Sequence, residues 1–183
     1  MKRSFLSVLV LLALLATTGA VPAASVQASD NFVAVLSGAN EVPARDTQAR
    51  GVATFQLNAD GTAFDYTLIA ANIENPVAAH IHCAAAGQNG GVGVTLYSGG
   101  TPGGGPFDGV LAQSTFFAPD PPNPNTGAPN PCGWTTFAQV LAAMRSGNTY
   151  VNVHTNDGVD PPNTGPGDFP GGEIRGQIDP TGP

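Results

Sequence analysis

The sequence predicts an all-β domain, an antiparallel sandwich or barrel with one short helix. Three observations carry this prediction. Glycine and proline are abundant, at 24 and 17 copies in 183 residues, which is typical of short strands joined by turns. Apolar and polar residues alternate between these turns, as half-buried antiparallel strands require. Helical spacing of apolar residues stands out in one segment, near the C-terminal end.

The N-terminus has the pattern of a secretory signal sequence. Lys2-Arg3 precede an apolar run from Phe5 to about Ala16, and Val26-Gln27-Ala28 then suits signal peptidase. We predict cleavage after Ala28, with the Ala24–Ser25 bond as second choice. An uncleaved anchor is disfavoured because the run is shorter than the ~20 apolar residues that span a bilayer. We therefore expect a signal peptide at 1–28, one domain at 29–183, and a secreted, periplasmic or cell-envelope protein with no transmembrane segment in its mature chain.

The predicted mature chain is strongly acidic. It keeps four arginines, no lysine and all 13 acidic residues, which leaves a net charge of −9. Such a surface repels phosphate backbones, so nucleic acids and anionic membranes are poor partners. The partner is expected to be an unidentified protein or a component of the envelope or matrix.

Eight segments have the composition and alternation of strands. Gly51–Leu57 and Ala63–Ile69 flank Asp60-Gly61, a strong hairpin signal. In the second arm Phe64, Tyr66 and Leu68 share one face. The segments are Phe32–Leu36, Gly51–Leu57, Ala63–Ile69, Val77–His82, Val92–Tyr97, Val110–Phe117, Thr149–His154 and Glu173–Ile178.

The remaining segments predict one helix and three loops. Thr136 and Gln139 form a capping-box pattern, apolar residues follow at helical spacing, and Gly147 ends the helix. The segment 98–109 is glycine-rich and predicts turns, and 118–131 and 156–172 predict proline-rich surface loops.

All three histidines of the chain lie on two of these strands. His80 and His82 are two residues apart on one strand, so their side chains share a face. His154, on a second strand, also lies opposite the aliphatic side chains. If the two strands are close, three imidazoles converge, and three histidines suffice for a copper or zinc site with an open position. The alternative is that they hydrogen-bond to loops or to each other on a polar face.

Cys83 and Cys132 remain after export. Two cysteines in an oxidising compartment most simply form one disulfide. Metal ligation by Cys83, next to His82, is the alternative, although Cys83 lies on the opposite side of its strand.

Two further patterns are candidate sites. Glu173 and Arg175 share a strand face, where they bind a ligand or, as we favour, form a structural ion pair. The loop from Asn156 to Asp168 carries oxygen ligands and glycine, but its spacing fits no EF-hand, so calcium is a weak hypothesis. No serine lies in a G-x-S-x-G context, and we identify no catalytic residue set.

Four motifs in order resemble the CHRD domain family, which is named for repeats in the extracellular protein chordin. The resemblance covers about 31–178. It implies an immunoglobulin-like or superoxide-dismutase-like β-sandwich without established enzymatic activity. The motifs are Phe32-x-Ala34-x-Leu36-Ser37-Gly38-x-Asn40-Glu41-Val42-Pro43, Ala79-His80-Ile81-His82, Tyr150-Val151-Asn152-Val153-His154-Thr155 and Gly171-Gly172-Glu173-Ile174-Arg175-Gly176-Gln177-Ile178.

Three functions follow as hypotheses. The leading one is a non-enzymatic extracytoplasmic binding or structural domain that holds one copper or zinc ion through His80, His82 and His154. A mononuclear metal-dependent redox or hydrolytic enzyme is the second, and an adhesion or matrix module that uses the loops 98–131 and 156–170 is the third. Dismutase chemistry is excluded, because its dinuclear site needs six histidine side chains and this chain has three.

Overall fold

A computed structural model describes residues 30–182, so the predicted signal peptide lies outside the described residues. These residues form nine strands, one α-helix and a short 3₁₀ turn at Gly38–Asn40. The elements are β1 (Asn31–Ser37), β2 (Arg50–Leu57), β3 (Phe64–Glu74), β4 (Pro76–Cys83), β5 (Gly91–Ser98), β6 (Pro106–Phe116), α1 (Phe137–Arg145), β7 (Thr149–Thr155), β8 (Ile174–Gln177) and β9 (Asp179–Pro180).

The strands form one antiparallel sheet that curls into a nearly closed barrel, which confirms the predicted all-β class. The order is β5-β4-β7-β8-β1-β2-β3-β6, with β9 beside β1. The edge strands β5 and β6 approach each other, and the Tyr66 hydroxyl on β3 donates a hydrogen bond to the Leu96 carbonyl on β5 at 2.6 Å. Within residues 30–182, no helix has the length and apolar character that crossing a membrane demands.

The hairpin between β2 and β3 forms as the sequence predicts. The Asn58 side chain accepts hydrogen bonds from the backbone N–H groups of Thr62 and Ala63, and Gly61 adopts a positive φ of 69°. The hydrogen bonds of Asn58 close the turn. Gly61 adopts the positive φ without strain because it has no Cβ. The predicted inward face of β3, with Phe64, Tyr66 and Leu68, is buried.

The helix covers one end of the barrel. Its start is fixed where predicted, since the Gln139 side chain accepts a hydrogen bond from the Thr136 backbone N–H at 3.1 Å. The ring of Phe137 lies 5.4 Å from that of Phe64, which connects the helix to the aromatic core of the barrel. The buried helix residues Val140, Leu141 and Met144 complete this packing.

Two strand boundaries were predicted wrongly by several residues, and the first is the end of β3, which continues to Glu74 instead of stopping at Ile69. The second is the start of β6, since the turn-like segment 98–109 ends early and β6 begins at Pro106 rather than Val110. Phe107 pairs with Ile73 and Pro106 with Glu74, so the long strand β3 provides hydrogen-bonding partners that extend β6 despite its local glycine and proline content.

Candidate metal centre

The three histidines converge because β4 and β7 are hydrogen-bonded neighbours. The register places His80 opposite Asn152 and His154 opposite Ala78. One ring nitrogen from each histidine lies within 4.8 Å of the other two. Within residues 30–182, they form the one group of three or more histidine, cysteine or acidic side chains close enough to hold a metal ion. The structure therefore brings together the three residues that the sequence selects.

Backbone carbonyls determine which nitrogen of two rings carries hydrogen. Nδ1 of His82 lies 3.0 Å from the Gly90 carbonyl, and Nδ1 of His154 lies 2.8 Å from the Pro170 carbonyl. A carbonyl only accepts, so both Nδ1 atoms carry the hydrogen and both Nε2 atoms keep a lone pair. Carbonyl contacts of this kind orient metal-binding histidines in proteins.

The lone pairs that remain are directed into the cluster. Nε2 of His154 lies 3.0 Å from Nδ1 of His80. Nε2 of His82 is buried and has no hydrogen-bond partner. An unpartnered buried nitrogen is costly in a protein interior, and a metal ion satisfies it. Because Nε2 of His154 keeps its lone pair, Nδ1–H of His80 donates the hydrogen bond between them. The candidate donors are therefore Nε2 of His82 and Nε2 of His154, with Nδ1 of His80 available once its hydrogen moves to Nε2 of the same ring.

The imidazoles are kept neutral, which is the form that binds metals. The pKa of His80 is lowered to about 4, mainly by burial and to a smaller extent by the neighbouring His154 and His82. Burial also lowers the pKa of His82 to about 4, against the opposing effect of the hydrogen bond to Gly90. The pKa of His154 is lowered by burial as well. Protons therefore compete weakly for these nitrogens near neutral pH.

The spacing suits one small transition-metal ion. An ion ~2.0–2.1 Å from each imidazole nitrogen holds its donor nitrogens about 3.4 Å apart in tetrahedral geometry. The His80 and His154 nitrogens are at 3.0 Å, and all three lie within 4.8 Å, so small side-chain rotations suffice. Three neutral imidazoles suit copper or zinc rather than calcium or magnesium, which prefer oxygen ligands.

An aromatic stack supports the face of the His82 ring. Tyr150 lies parallel to it, with ring centroids 4.9 Å apart and an interplanar angle of 9°. On Tyr150 lies the guanidinium of Arg175, 3.4 Å from the ring centroid. The Tyr150 hydroxyl accepts a hydrogen bond from the Gly90 backbone N–H, next to the carbonyl that holds His82. His82 is thus fixed both on its face and at its edge.

Arg175 also holds the loop that carries Gly90. Its guanidinium donates hydrogen bonds to the Gln88 carbonyl at 2.7 Å and to Oδ1 of Asn89 at 3.1 Å. The side chain is buried, and burial lowers its pKa from the usual value. A buried arginine that binds both the loop and the stacked tyrosine fixes two supports of His82 at once.

Asn152 lies on β7 opposite His80 and is hydrogen-bonded to the buried carboxyl group of Glu41. Its side-chain amide donates to both carboxyl oxygens of Glu41, at 2.8 and 3.1 Å. Burial raises the pKa of Glu41 to about 7, although Arg175 and Arg45 lower it. Sequence reasoning did not select Glu41, Tyr150 or Asn152 as supports, even though all three lie in the motifs that it identified.

Glu173 and Arg175 do not form the ion pair that we favoured from the sequence. Glu173 accepts hydrogen bonds from the hydroxyls of Thr47 and Thr155 and from the Gly167 backbone N–H, at 2.6 to 2.8 Å. Within residues 30–182 the one salt bridge joins Arg145 to Asp30. Strand alternation correctly indicated that both side chains leave the aliphatic face. It did not indicate that loops cover them completely and provide separate partners.

The polar side of β7 and β8 is therefore buried under loops rather than exposed. Glu173 holds the loop 165–170, and the Pro170 carbonyl of this loop holds His154. Arg175 correspondingly holds the loop 85–90 over His82. Each of the two neighbouring charged residues thus secures the loop that orients one histidine.

The two cysteines form a disulfide, so metal ligation by Cys83 is wrong. Cys83 and Cys132 are bonded, with their Cα atoms 5.7 Å apart. The bond joins the end of β4 to the segment before α1. It begins one residue after His82 and therefore anchors the strand that carries two of the three histidines.

The acidic residues around Asn156 to Asp168 do not form a calcium-type cluster within residues 30–182. Asp168 instead accepts hydrogen bonds from the backbone N–H and the hydroxyl of Thr164, both at 2.9 Å. These bonds lower the pKa of Asp168, with the Thr164 backbone contributing most. The carboxylate thus closes its own loop, and its placement does not support the calcium hypothesis.

Comparison with known proteins gives one match. A sequence model described as the CHRD domain matches residues 32–178, which is most of the chain. No curated protein and no solved structure matches the chain.

Proposed function

Because the chain belongs to the CHRD domain family, we propose that it is an exported, non-enzymatic binding domain that holds one copper or zinc ion through His80, His82 and His154. The observation that carries the proposal is the convergence of three neutral imidazoles within 4.8 Å. The ion, when bound, satisfies the buried Nε2 of His82 and joins β4 to β7.

The surroundings of the histidines support binding rather than catalysis. Pockets that accept small-molecule substrates are typically ~300–1,000 Å³. Four surface cavities described in residues 30–182 have no histidine in their linings. A cavity of about 510 Å³ includes Glu41 and Arg175 in its lining, but no member of the triad. The packing thus supports a site that takes an ion and little more.

The disulfide supports the proposed location. A bond between Cys83 and Cys132 persists in oxidising compartments and is rare in the cytosol. Together with the predicted signal peptide at 1–28, it supports export to the periplasm, the cell envelope or the medium. Mass measurement of the exported protein tests the predicted cleavage after Ala28, and a start at Ser25 corresponds to the second choice.

Metal titration of the chain 29–183 tests the site directly. The protein carries a histidine-free affinity tag, because every imidazole signal then comes from the triad. We expect one copper or zinc ion per chain by elemental analysis. Nitrogen hyperfine splitting in the electron paramagnetic resonance spectrum of the Cu²⁺ form reports the imidazole ligands.

Two variants make the titration specific. His82→Ala removes one ligand and is expected to weaken binding by at least ~100-fold. Asp157→Asn, on the acidic loop, is the control and leaves binding unchanged. A wild-type protein that binds neither ion, or a His82→Ala protein that binds as tightly as wild type, contradicts the proposal.

A further inference from the structure

Four aliphatic side chains lie side by side on the outer surface of the barrel. The strand registers place Val35 opposite Val52, Val52 opposite Ile69, and Ile69 opposite Val110. Their exposed fractions are 64%, 38%, 44% and 53% in the order Val35, Val52, Ile69, Val110. They form a continuous row, the aliphatic row, across β1, β2, β3 and β6.

The row is unusual for its position. Outward faces of antiparallel barrels are normally polar, and the adjacent outward row of this face follows that rule, with Thr54, Thr67 and Gln113 paired across β2, β3 and β6. Four of the six exposed large apolar residues described in 30–182 belong to the aliphatic row. Contiguous exposed apolar surface of this kind marks an interaction site, whereas scattered apolar residues do not.

We propose that this face binds the same face of a second copy of the chain, in a two-fold dimer whose axis runs parallel to the strands between β2 and β3. This rotation places β2 against the partner's β3 and β1 against the partner's β6. Each outward row of side chains therefore packs against the same row of the partner, with the strand order reversed. Val52 then contacts the partner's Ile69, and Val35 contacts the partner's Val110. The two sheets pack with aligned strands, as in ordinary sandwiches.

The same operation matches the polar rows that flank the aliphatic row. Thr54 faces the partner's Thr67. Gln56, which is opposite Asp65 within one chain, faces the partner's Asp65 in the dimer, so an amide donor meets a carboxylate. Arg50, opposite Ala71 within one chain, faces the partner's Ala71. No two like charges meet in these rows, and this complementarity favours a second copy over an unrelated partner.

The face is large enough for a dimer. With strands ~4.8 Å apart and ~3.3 Å per residue, the four strands present a footprint of about 20 by 25 Å over eight residues. Projecting side chains raise the accessible area above this footprint, towards the ~800 Å² per partner of a standard interface. An apolar centre with a polar rim is the usual composition of such interfaces.

The net negative charge of each chain opposes association, so the stability of the dimer should depend on salt concentration. Residues 29–183 contain four arginines and 13 acidic residues, so two copies repel each other at low ionic strength. Salt screens this repulsion over ~8 Å at physiological ionic strength and leaves the aliphatic contact intact. We therefore expect dimerisation to strengthen as salt is added.

Sedimentation velocity and light scattering on the chain 29–183 test the proposal over the attainable range of concentration and salt. Val52→Lys and Ile69→Glu are each expected to weaken the dimer by at least 100-fold. Val159→Lys, at an exposed position outside the row, leaves it unchanged. All three positions are exposed, so the variants are expected to fold, and circular dichroism verifies this.

Mixing the two interface variants tests the arrangement itself. Each copy of Val52→Lys places its ammonium against the carboxylate of a copy of Ile69→Glu, and the second Val52–Ile69 contact of the mixed dimer is retained. The mixture should therefore dimerise although neither variant does so alone. A wild-type chain that stays monomeric, or a mixture that fails to associate, overturns the proposal. His82→Ala should still dimerise, which separates this test from the test of the metal site.

Discussion

Replacing Arg175 with methionine removes the cation that holds both supports of His82. The change eliminates the hydrogen bonds to the Gln88 carbonyl and to Asn89, at 2.7 and 3.1 Å, and the contact with the Tyr150 ring at 3.4 Å. Methionine is unbranched and apolar and fills the space of the aliphatic stem, ending about where Nε of arginine lies. The comparison therefore reports mainly the loss of the guanidinium with its charge and hydrogen bonds.

The contacts give the expected magnitude. Hydrogen bonds to charged groups contribute about 1.5–3 kcal/mol each, and a desolvated cation–π contact about 2 kcal/mol. The net loss of stability is smaller than this sum, because burying methionine avoids the desolvation cost of burying the guanidinium. We expect Arg175→Met to lower the free energy of unfolding by about 3–4 kcal/mol. Metal affinity should fall by about 10–100-fold, because His82 loses its orientation but not its nitrogen.

Urea unfolding followed by circular dichroism measures the stability loss, and the metal titration measures the affinity. Arg50→Met is the matched control, because Arg50 is exposed and donates hydrogen bonds only to the carbonyls of Thr47 and Ala49, just before β2. It should cost less than about 1 kcal/mol. Arg175→Lys retains the positive charge but not the planar guanidinium that donates to several acceptors. Its stability and metal affinity should therefore lie between those of Arg175→Met and wild type. A stability of Arg175→Met within about 1 kcal/mol of wild type, or an unchanged metal affinity, would refute this reasoning.

Three further predictions concern other parts of the molecule. Because the pKa of Glu41 is raised from 4.5 to about 7, the native state retains its proton longer than the unfolded state, and stability falls as pH rises through that window. Glu41→Gln should remove about 3 kcal/mol of this pH dependence, measured by urea unfolding at pH 4.5 and pH 8; parallel profiles would contradict it. The double variant Cys83→Ala/Cys132→Ala should lose about 4 kcal/mol, given the sequence separation of 49, and an unchanged melting temperature would argue against this. Glu173→Ala should cost about 3 kcal/mol, because three donors lose their buried acceptor, and faster amide hydrogen exchange at Gly167 should accompany the loss.

Much of the fold was predictable because its signals are local. Alternation in β3 assigned Phe64, Tyr66 and Leu68 to the core, and the Asp60-Gly61 turn placed β2 beside β3. The capping pattern at Thr136 placed the start of the helix correctly. The wrong start of β6 has the opposite cause, since its residues Pro106 and Phe107 become strand only through pairing with β3.

The candidate site was predictable in part. Spacing alone indicated that His80 and His82 share a face and that His154 lies on the corresponding side of another strand. Their convergence needed β4 and β7 to be neighbours, and these strands are distant in the sequence. The partners of Glu173 and Arg175 were not predictable, because they lie on loops whose positions local patterns do not specify.

By itself, the sequence determined the strand-rich class, the acidic charge, the inward and outward faces of most strands, and the candidate ligands His80, His82 and His154. These properties depend on the two-residue period of a strand and on side-chain chemistry, which act over a few residues. The tertiary structure alone decided that β4 lies beside β7, that loops bury the polar side of this pair, and that four outward aliphatic residues align. Each of these outcomes depends on which strands pair and in which register, and neither can be read from any single segment.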